Sequence, residues 1–236
     1  MRFLLLSIIL SYMANANQNL LALSWHNAFC ETHRYKKECK RGLNDLIRAK
    51  ASDTHFVLHG LWPQPRNNVY CNLSKYIIKK DKSRRWRQLP IVGLDTQTYM
   101  ALAKIMPGIR SQLHKHEWVK HGTCYGKSAN EYFKDAISLV NQVNNSALGM
   151  LFSKNIGKKI SLKQVRTVAN RAFGFGAGKR MALRCKNGMI TELWINIGSG
   201  SNDLSRLLKN SKPAYSRCKG GYVDKAGFRK KAKFGR

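Results

Sequence analysis

The chain has 236 residues, with 43 Lys and Arg against 12 Asp and Glu and a formal net charge of +31. That length suits one sizeable domain that buries a core without depending on staples, and no stretch reaches the ~20 consecutive apolar residues a membrane-spanning helix requires. The charge draws the chain towards polyanions (RNA, DNA, anionic lipid or heparin-like glycans) without choosing among them.

Met1-Arg2 is a minimal basic lead, Phe3 to Met13 is apolar, and Ala14-Asn15-Ala16 has the small-x-small form of a leader-peptidase site. Residues 1–16 therefore read as a signal peptide cleaved after Ala16, and residues 17–236 as one exported domain, periplasmic or secreted. Leu20 to Phe29, apolar and aromatic up to Cys30, reads as a strand. His33 to Lys50 is basic and carries Gly42, which suits a loop and a short helix. Thr54 to Leu61 is a short apolar run closed by Gly60, Pro63 and Pro65, the pattern of a buried strand ending in a turn. Lys79 to Arg87, dense in Lys and Arg with Asp81 and Trp86 among them, reads as an exposed loop.

Thr96 to Met106 follows Asp95 and stops at Pro107-Gly108, a helix. Ser128-x-x-Glu131 has capping-box spacing, and Tyr132, Phe133, Ala136, Ile137, Val140 and Val143 form an apolar stripe behind it. Ser161-x-x-Gln164 repeats the box before an amphipathic segment that ends at Gly174. Met181 to Cys185 and Met189 to Ile197 flank Asn187-Gly188, a strong hairpin signal. A basic, Gly-bearing tail runs from Lys219 to Arg236. Strands and helices mix without a βαβ rhythm, which argues for an α+β fold.

Cys30, Cys39, Cys71, Cys124, Cys185 and Cys218 are an even set, which in an exported chain favours disulfides while leaving their pairing open. The closest pair, Cys30 and Cys39, is spaced too widely for the C-x-x-C knuckle of a zinc site.

Two segments carry the chemistry: Phe56-Val57-Leu58-His59-Gly60-Leu61-Trp62-Pro63, and His116-Glu117-Trp118-Val119-Lys120-His121-Gly122-Thr123-Cys124. If the second is helical, His116, Glu117, Lys120 and His121 fall within an arc of about 140°, while Trp118 and Val119 point to the core. Gly122 then offers a C-terminal cap and Cys124 can pin the end. The segment is not the H-E-x-x-H of zinc proteases: the second His comes one residue late, and Lys120 in its place would repel a cation. His59, at the end of a buried strand, could face His121. Such a pair fits RNA cleavage, one imidazole taking the 2′-OH proton and the other protonating the leaving 5′-oxygen.

F-x-x-H-G-L-W-P and H-E-W-x-K-H-G-T-C, complete and in this order, resemble the two active-site segments of the ribonuclease T2 family of acid endoribonucleases, which has periplasmic bacterial members. Leu21-x-Leu23-Ser24-Trp25-x-x-x-Phe29-Cys30 is similar to that family's first strand, so the likeness spans at least residues 20–124. The resemblance implies a single α+β domain with a central antiparallel sheet and packed helices, cutting single-stranded RNA to 2′,3′-cyclic phosphates that can be hydrolysed to 3′-phosphates. It implies His121 as general base, His59 as general acid, Glu117 and Lys120 as transition-state stabilisers and His116 as phosphate holder. Trp62 and Tyr70 would stack on the base; no metal or cofactor is called for. It implies the bridges Cys71–Cys124, Cys185–Cys218 and Cys30–Cys39. Gln64 stands where members of the family differ, leaving base preference open. His26, His33, His55 and His114 match no motif and read as structural or surface residues. The rival reading is a non-catalytic cationic protein that binds nucleic acid or envelope polyanions. The intact catalytic set argues against it, although non-specific binding to DNA or other polyanions can accompany catalysis.

Overall fold

The computed structural model describes residues 18–40 and 51–228. The expected signal peptide (1–16), the later part of the His33–Lys50 stretch and the end of the basic tail (229–236) lie outside the described residues.

Among the described residues, six strands form one sheet. β1 (Asn19–Ser24) runs antiparallel between β2 (Val57–Pro63) and β5 (Met189–Ile197), and β4 (Met181–Lys186) also pairs with β5. β6 (Gly220–Tyr222) and β3 (Lys159–Ser161) extend the sheet from the start of β5. The ladders are antiparallel apart from the parallel contacts Met189–Tyr222 and Ile156–Val223. β4 and β5 are joined by the expected Asn-Gly turn, with φ +50° at Asn187 and +74° at Gly188, the left-handed pair a tight hairpin needs.

Helices cover this sheet. In chain order they include α1 (His26–Thr32), the single turn α2 (Ala51–Thr54), α3 (Lys75–Lys82), α4 (Thr96–Ile105), α5 (Leu113–Lys120), α6 (Ala129–Asn144), α7 (Ala147–Lys154), α8 (Leu162–Phe173) and α9 (Leu204–Lys209). Ser128 with Glu131 and Ser161 with Gln164 close both arms of their capping boxes at the starts of α6 and α8. Along α6, Tyr132, Phe133, Ala136, Leu139, Val140 and Val143 are at most 1% exposed. Each large side chain among them contributes ~1.5–3 kcal/mol of burial. Leu139 takes the place expected for Ile137, which is only half-buried. The three bridges are Cys30–Cys39, Cys71–Cys124 and Cys185–Cys218. No helix among the described residues is long and apolar enough to cross a membrane.

Four sequence expectations are corrected. The strand expected over Leu20–Phe29 stops at Ser24. Trp25 leaves the sheet, its Nε1 donating to the Asp224 carbonyl at 2.7 Å, and α1 begins one residue later. Thr54 belongs to α2, and the next strand runs from Val57 to Pro63 with Gly60 inside it rather than at its turn. Lys79–Arg87 is not one loop: its first half completes α3, which starts at the Ser74 cap, whose Oγ accepts from the Ile77 N–H. Finally, α5 ends at Lys120, and His121 is its C-cap rather than a residue within it.

Candidate active site

His59 owes its position to a register break. Ala22 pairs with Gly60 and Leu23 with Leu58, leaving His59 as the extra residue of a β-bulge. A bulge re-aims the side chain it carries. Leu58 and Leu61 therefore both enter the core, at 2% and 0% exposure, while the His59 side chain is 34% exposed. Helix α6 clamps the strand on either side of the break. Asn144 exchanges hydrogen bonds with the Phe56 backbone (3.0 and 2.9 Å), and the Tyr132 hydroxyl donates to the Leu61 carbonyl at 2.9 Å.

His121 is the C-cap of α5, with φ −119° and ψ −46°; its N–H still donates to the Glu117 carbonyl at 3.0 Å. Gly122 is needed not for a left-handed cap but for room: a Cβ there would lie 2.2 Å from Trp118 Cε3. The Cys71–Cys124 bridge and a Tyr70 N–H to Lys120 carbonyl bond (2.9 Å) tie the loop after β2 to the end of this helix.

Glu117 joins the two segments. It is 1% exposed and accepts from Trp62 Nε1 at 2.7 Å through Oε2. Its Oε1 has no hydrogen-bond partner among the described residues, yet lies 3.8 Å from His59 Nε2 and 3.9 Å from His116 Nε2. Gly60 makes this possible, because a Cβ there would sit 2.0 Å from Glu117 Oε2 and 2.3 Å from Trp62 Nε1. Trp62 stacks on His121 (5.3 Å, 27°) and meets His59 edge-on at 5.1 Å. One indole thus lies against both imidazoles. Of the expected set, His59, Trp62, His116, Glu117 and His121 are linked through these contacts. Lys120 acts on both His59 and His121 through its charge. Tyr70 instead joins the His116 side, its hydroxyl donating to Asp81 at 2.8 Å.

Two acidic residues of the site carry no signal in the sequence motifs. Asp81, 2% exposed within the basic stretch, receives the Tyr70 hydroxyl and lies 2.7 Å from His116 Nδ1. Glu192, on β5, lies 2.6 Å from His59 Nδ1 through Oε1, and its Oε2 accepts from Trp194 Nε1 at 2.8 Å. The one available hint for Asp81 was a lone acid among six cations. For Glu192 it was an acid on the longest strand among the described residues, in a segment otherwise poor in acids.

These surroundings push the two imidazoles apart. Burial lowers the affinity of His59 for a proton, but the hydrogen bond and charge of Glu192, then the charge of Glu117, outweigh it and the pKa is raised. Burial, then the charges of Lys120, His116 and His59, lower that of His121 to about 3. Near neutral pH the pair holds one neutral base and one group inclined to keep its proton, the arrangement acid–base catalysis needs. The one potential metal cluster among the described residues, His26 with Cys30 and Cys39, offers no thiolates, because the two cysteines are bonded to each other.

A family model described as the Ribonuclease T2 family matches residues 16–212. The chain is 27% identical to Ribonuclease I of Escherichia coli, over 89% of this chain and 86% of that one. It is 28% identical to Extracellular ribonuclease LE of Solanum lycopersicum, over 64% and 62% of the two chains. Among solved structures, a variant of ribonuclease MC1 of bitter gourd in complex with 5′-UMP matches with a TM-score of 0.54 at 18% identity, covering 87% of this chain and 97% of that one. That likeness is one of fold.

Proposed function

This chain belongs to the Ribonuclease T2 family and is a ribonuclease, and on that premise we propose that it cuts single-stranded RNA by metal-independent transesterification between His121 and His59. The observation that carries this reading is the opposed displacement of the two imidazoles around Trp62 and the buried Glu117. Neutral His121 takes the proton of a ribose 2′-OH. The 2′-oxygen bonds to phosphorus, the bond to the 5′-oxygen breaks, and His59 delivers its proton to that leaving oxygen. The His121 Nδ1 is buried without a partner among the described residues, so the transfer falls to Nε2. Glu192 holds the acid by Nδ1, leaving Nε2 to face the substrate. Lys120 and His116 meet the charge that builds on the phosphoryl oxygens, and Glu117 favours the protonated state of His59. Every proton transfer has an imidazole and the developing charge has an ammonium, so no step calls for a metal. The product is a 2′,3′-cyclic phosphate, which water opens to a 3′-phosphate with the two histidines exchanging roles.

Trp62, half-buried, is proposed to stack on the base 5′ of the cut, stacking being worth ~1–3 kcal/mol per base, while Tyr70, on the His116 side, is proposed to contact the substrate from there. Residues 1–16 are proposed as a leader that sends residues 17–236 to the periplasm or out of the cell. The excess of Lys and Arg is proposed to hold RNA, and with it DNA and other polyanions, through phosphate contacts. The test is incubation of the mature chain with RNA in EDTA, followed by identification of the ends. Cyclic phosphate ends in EDTA are expected. Complete loss of cleavage on chelation, restored by Mg²⁺ or Zn²⁺, refutes the mechanism. His59→Ala and His121→Ala are each expected to lower kcat by ~10²–10⁴-fold.

A further inference from the structure

Ring contacts lead outward from the catalytic residues. Trp86 stacks on His116 (4.6 Å, 20°), and Lys36 Nζ lies 5.5 Å over Trp86. Next to Lys36, Tyr35 tilts against His33 at 6.3 Å, and His33 stacks on Phe29 at 4.4 Å and 13°. All these side chains border one cleft of about 670 Å³ that also takes in His59, His116 and Lys120. Neither Trp62 nor His121 borders it.

We propose that Phe29, His33 and Tyr35, with Lys36 and Lys186 beside them, form an additional RNA subsite that stacks a base downstream of the leaving nucleoside, on the 3′ side of the cut. The direction rests on the reading of His59 as general acid. The acid stands at the leaving 5′-oxygen, so the cleft that His59 borders without His121 receives the chain beyond that oxygen. An exposed tyrosine is ordinary by itself. Tyr35 is 69% exposed at the end of three aromatic rings in series, with lysines along the same cleft, and a groove combining aromatic faces with cations is what a single strand binds. The platform is also built in advance of binding. The Cys30–Cys39 bridge closes the segment that carries His33 and Tyr35, the Glu38 carboxylate accepts from the Ser111 hydroxyl, and His33 Nδ1 lies 3.0 Å from the Phe29 carbonyl. Little ordering remains to be done when RNA arrives.

The test uses three substrates with a single cleavable ribose, all other sugars being 2′-deoxy: a dinucleotide, the same step extended by two nucleotides on the 3′ side, and the same step extended on the 5′ side. Wild type is expected to show a higher kcat/KM on the 3′-extended substrate than on the dinucleotide. His33→Ala/Tyr35→Ala should lower kcat/KM on the 3′-extended substrate by roughly 5- to 150-fold, the equivalent of one stacked base, and leave the other two unchanged. Tyr35→Ala alone, at an exposed position, should show a smaller loss with the same pattern and guards against misfolding of the double variant. Equal losses on all three substrates, or no advantage of the 3′ extension in wild type, overturn the subsite while dinucleotide cleavage upholds the acid–base pair. A wild type that cuts none of the three overturns both.

Discussion

Removing the charge of Glu192 tests whether the strand environment, and not the histidine alone, makes His59 an acid. Glu192→Gln keeps the side-chain volume and one acceptor for Trp194 but deletes the anion 2.6 Å from His59 Nδ1. A hydrogen bond to a charged group is worth ~1.5–3 kcal/mol. His59 is 34% exposed at its side chain, and solvent screening brings the expectation to the lower end of that range. Without Glu192, burial is the largest influence left on the ring, and burial lowers its pKa. The alkaline limb of kcat/KM against pH should therefore move to lower pH. The acid limb, set by His121, should stay. Glu192→Asp, which keeps the charge, should restore the limb part of the way. The assay is dinucleotide cleavage across the pH range, with the His59 ring protons followed by NMR titration. A uniform loss of activity with both limbs in place would refute the argument and make Glu192 a structural residue. Stability supplies a second check. The raised His59 value stabilises the fold below its unfolded value of 6.5 and is lost as pH rises through the folded one, whereas the lowered Glu192 value stabilises it above 4.5 and is lost as pH falls. The Tm deficit of Glu192→Gln should be greatest between those two values.

Gly60→Ala should break the Trp62–Glu117 bond, since the new Cβ would overlap both partners. Overpacking costs ~1–3 kcal/mol, and kcat should fall at least as far as the melting temperature suggests; a fully active variant would show that Glu117 is not held from this side. His114 is 6% exposed, and burial, with Lys115 next, lowers its pKa to about 4. A depressed folded value means stability is complete above 6.5 and is lost as pH falls towards 4, so His114→Phe should flatten the fall of Tm across that range; an unchanged slope would rule His114 out as a source. Ser128→Ala removes the N-cap of α6 and should cost about 1 kcal/mol, read as a fall in Tm of roughly 2–4 °C; no change would mean the cap is replaced by solvent.

Much of the site was readable because its residues lie in two short segments. Phe56 to Pro63 and His116 to Cys124 contain both imidazoles, the buried carboxylate, the ammonium and the indole. The helix starts were readable for the same reason: Ser128 with Glu131, Ser161 with Gln164 and Asp95 with Thr98 are contacts across a single turn. Where the reading failed, the element ends were decided by a distant partner at Trp25 and by the Ser74 cap, just outside the basic run, at α3. Apolar alternation cannot show that Trp25 is drawn off the sheet by Asp224, nor that α5 stops before His121.

By itself the sequence determined the two motif segments, the capped helices and the Asn-Gly hairpin, because those depend on residue type and on neighbours a few positions away. Tertiary structure alone decided what each histidine can do. The bulge exists only in the pairing of β2 with β1, and the anion that raises the proton affinity of His59 stands 133 positions along the chain, on β5. Burial and the charges of Lys120, His116 and His59 lower the proton affinity of His121. Electrostatic coupling falls off with distance in space and not along the chain, so proton affinity is set only once the sheet and α5 have come together.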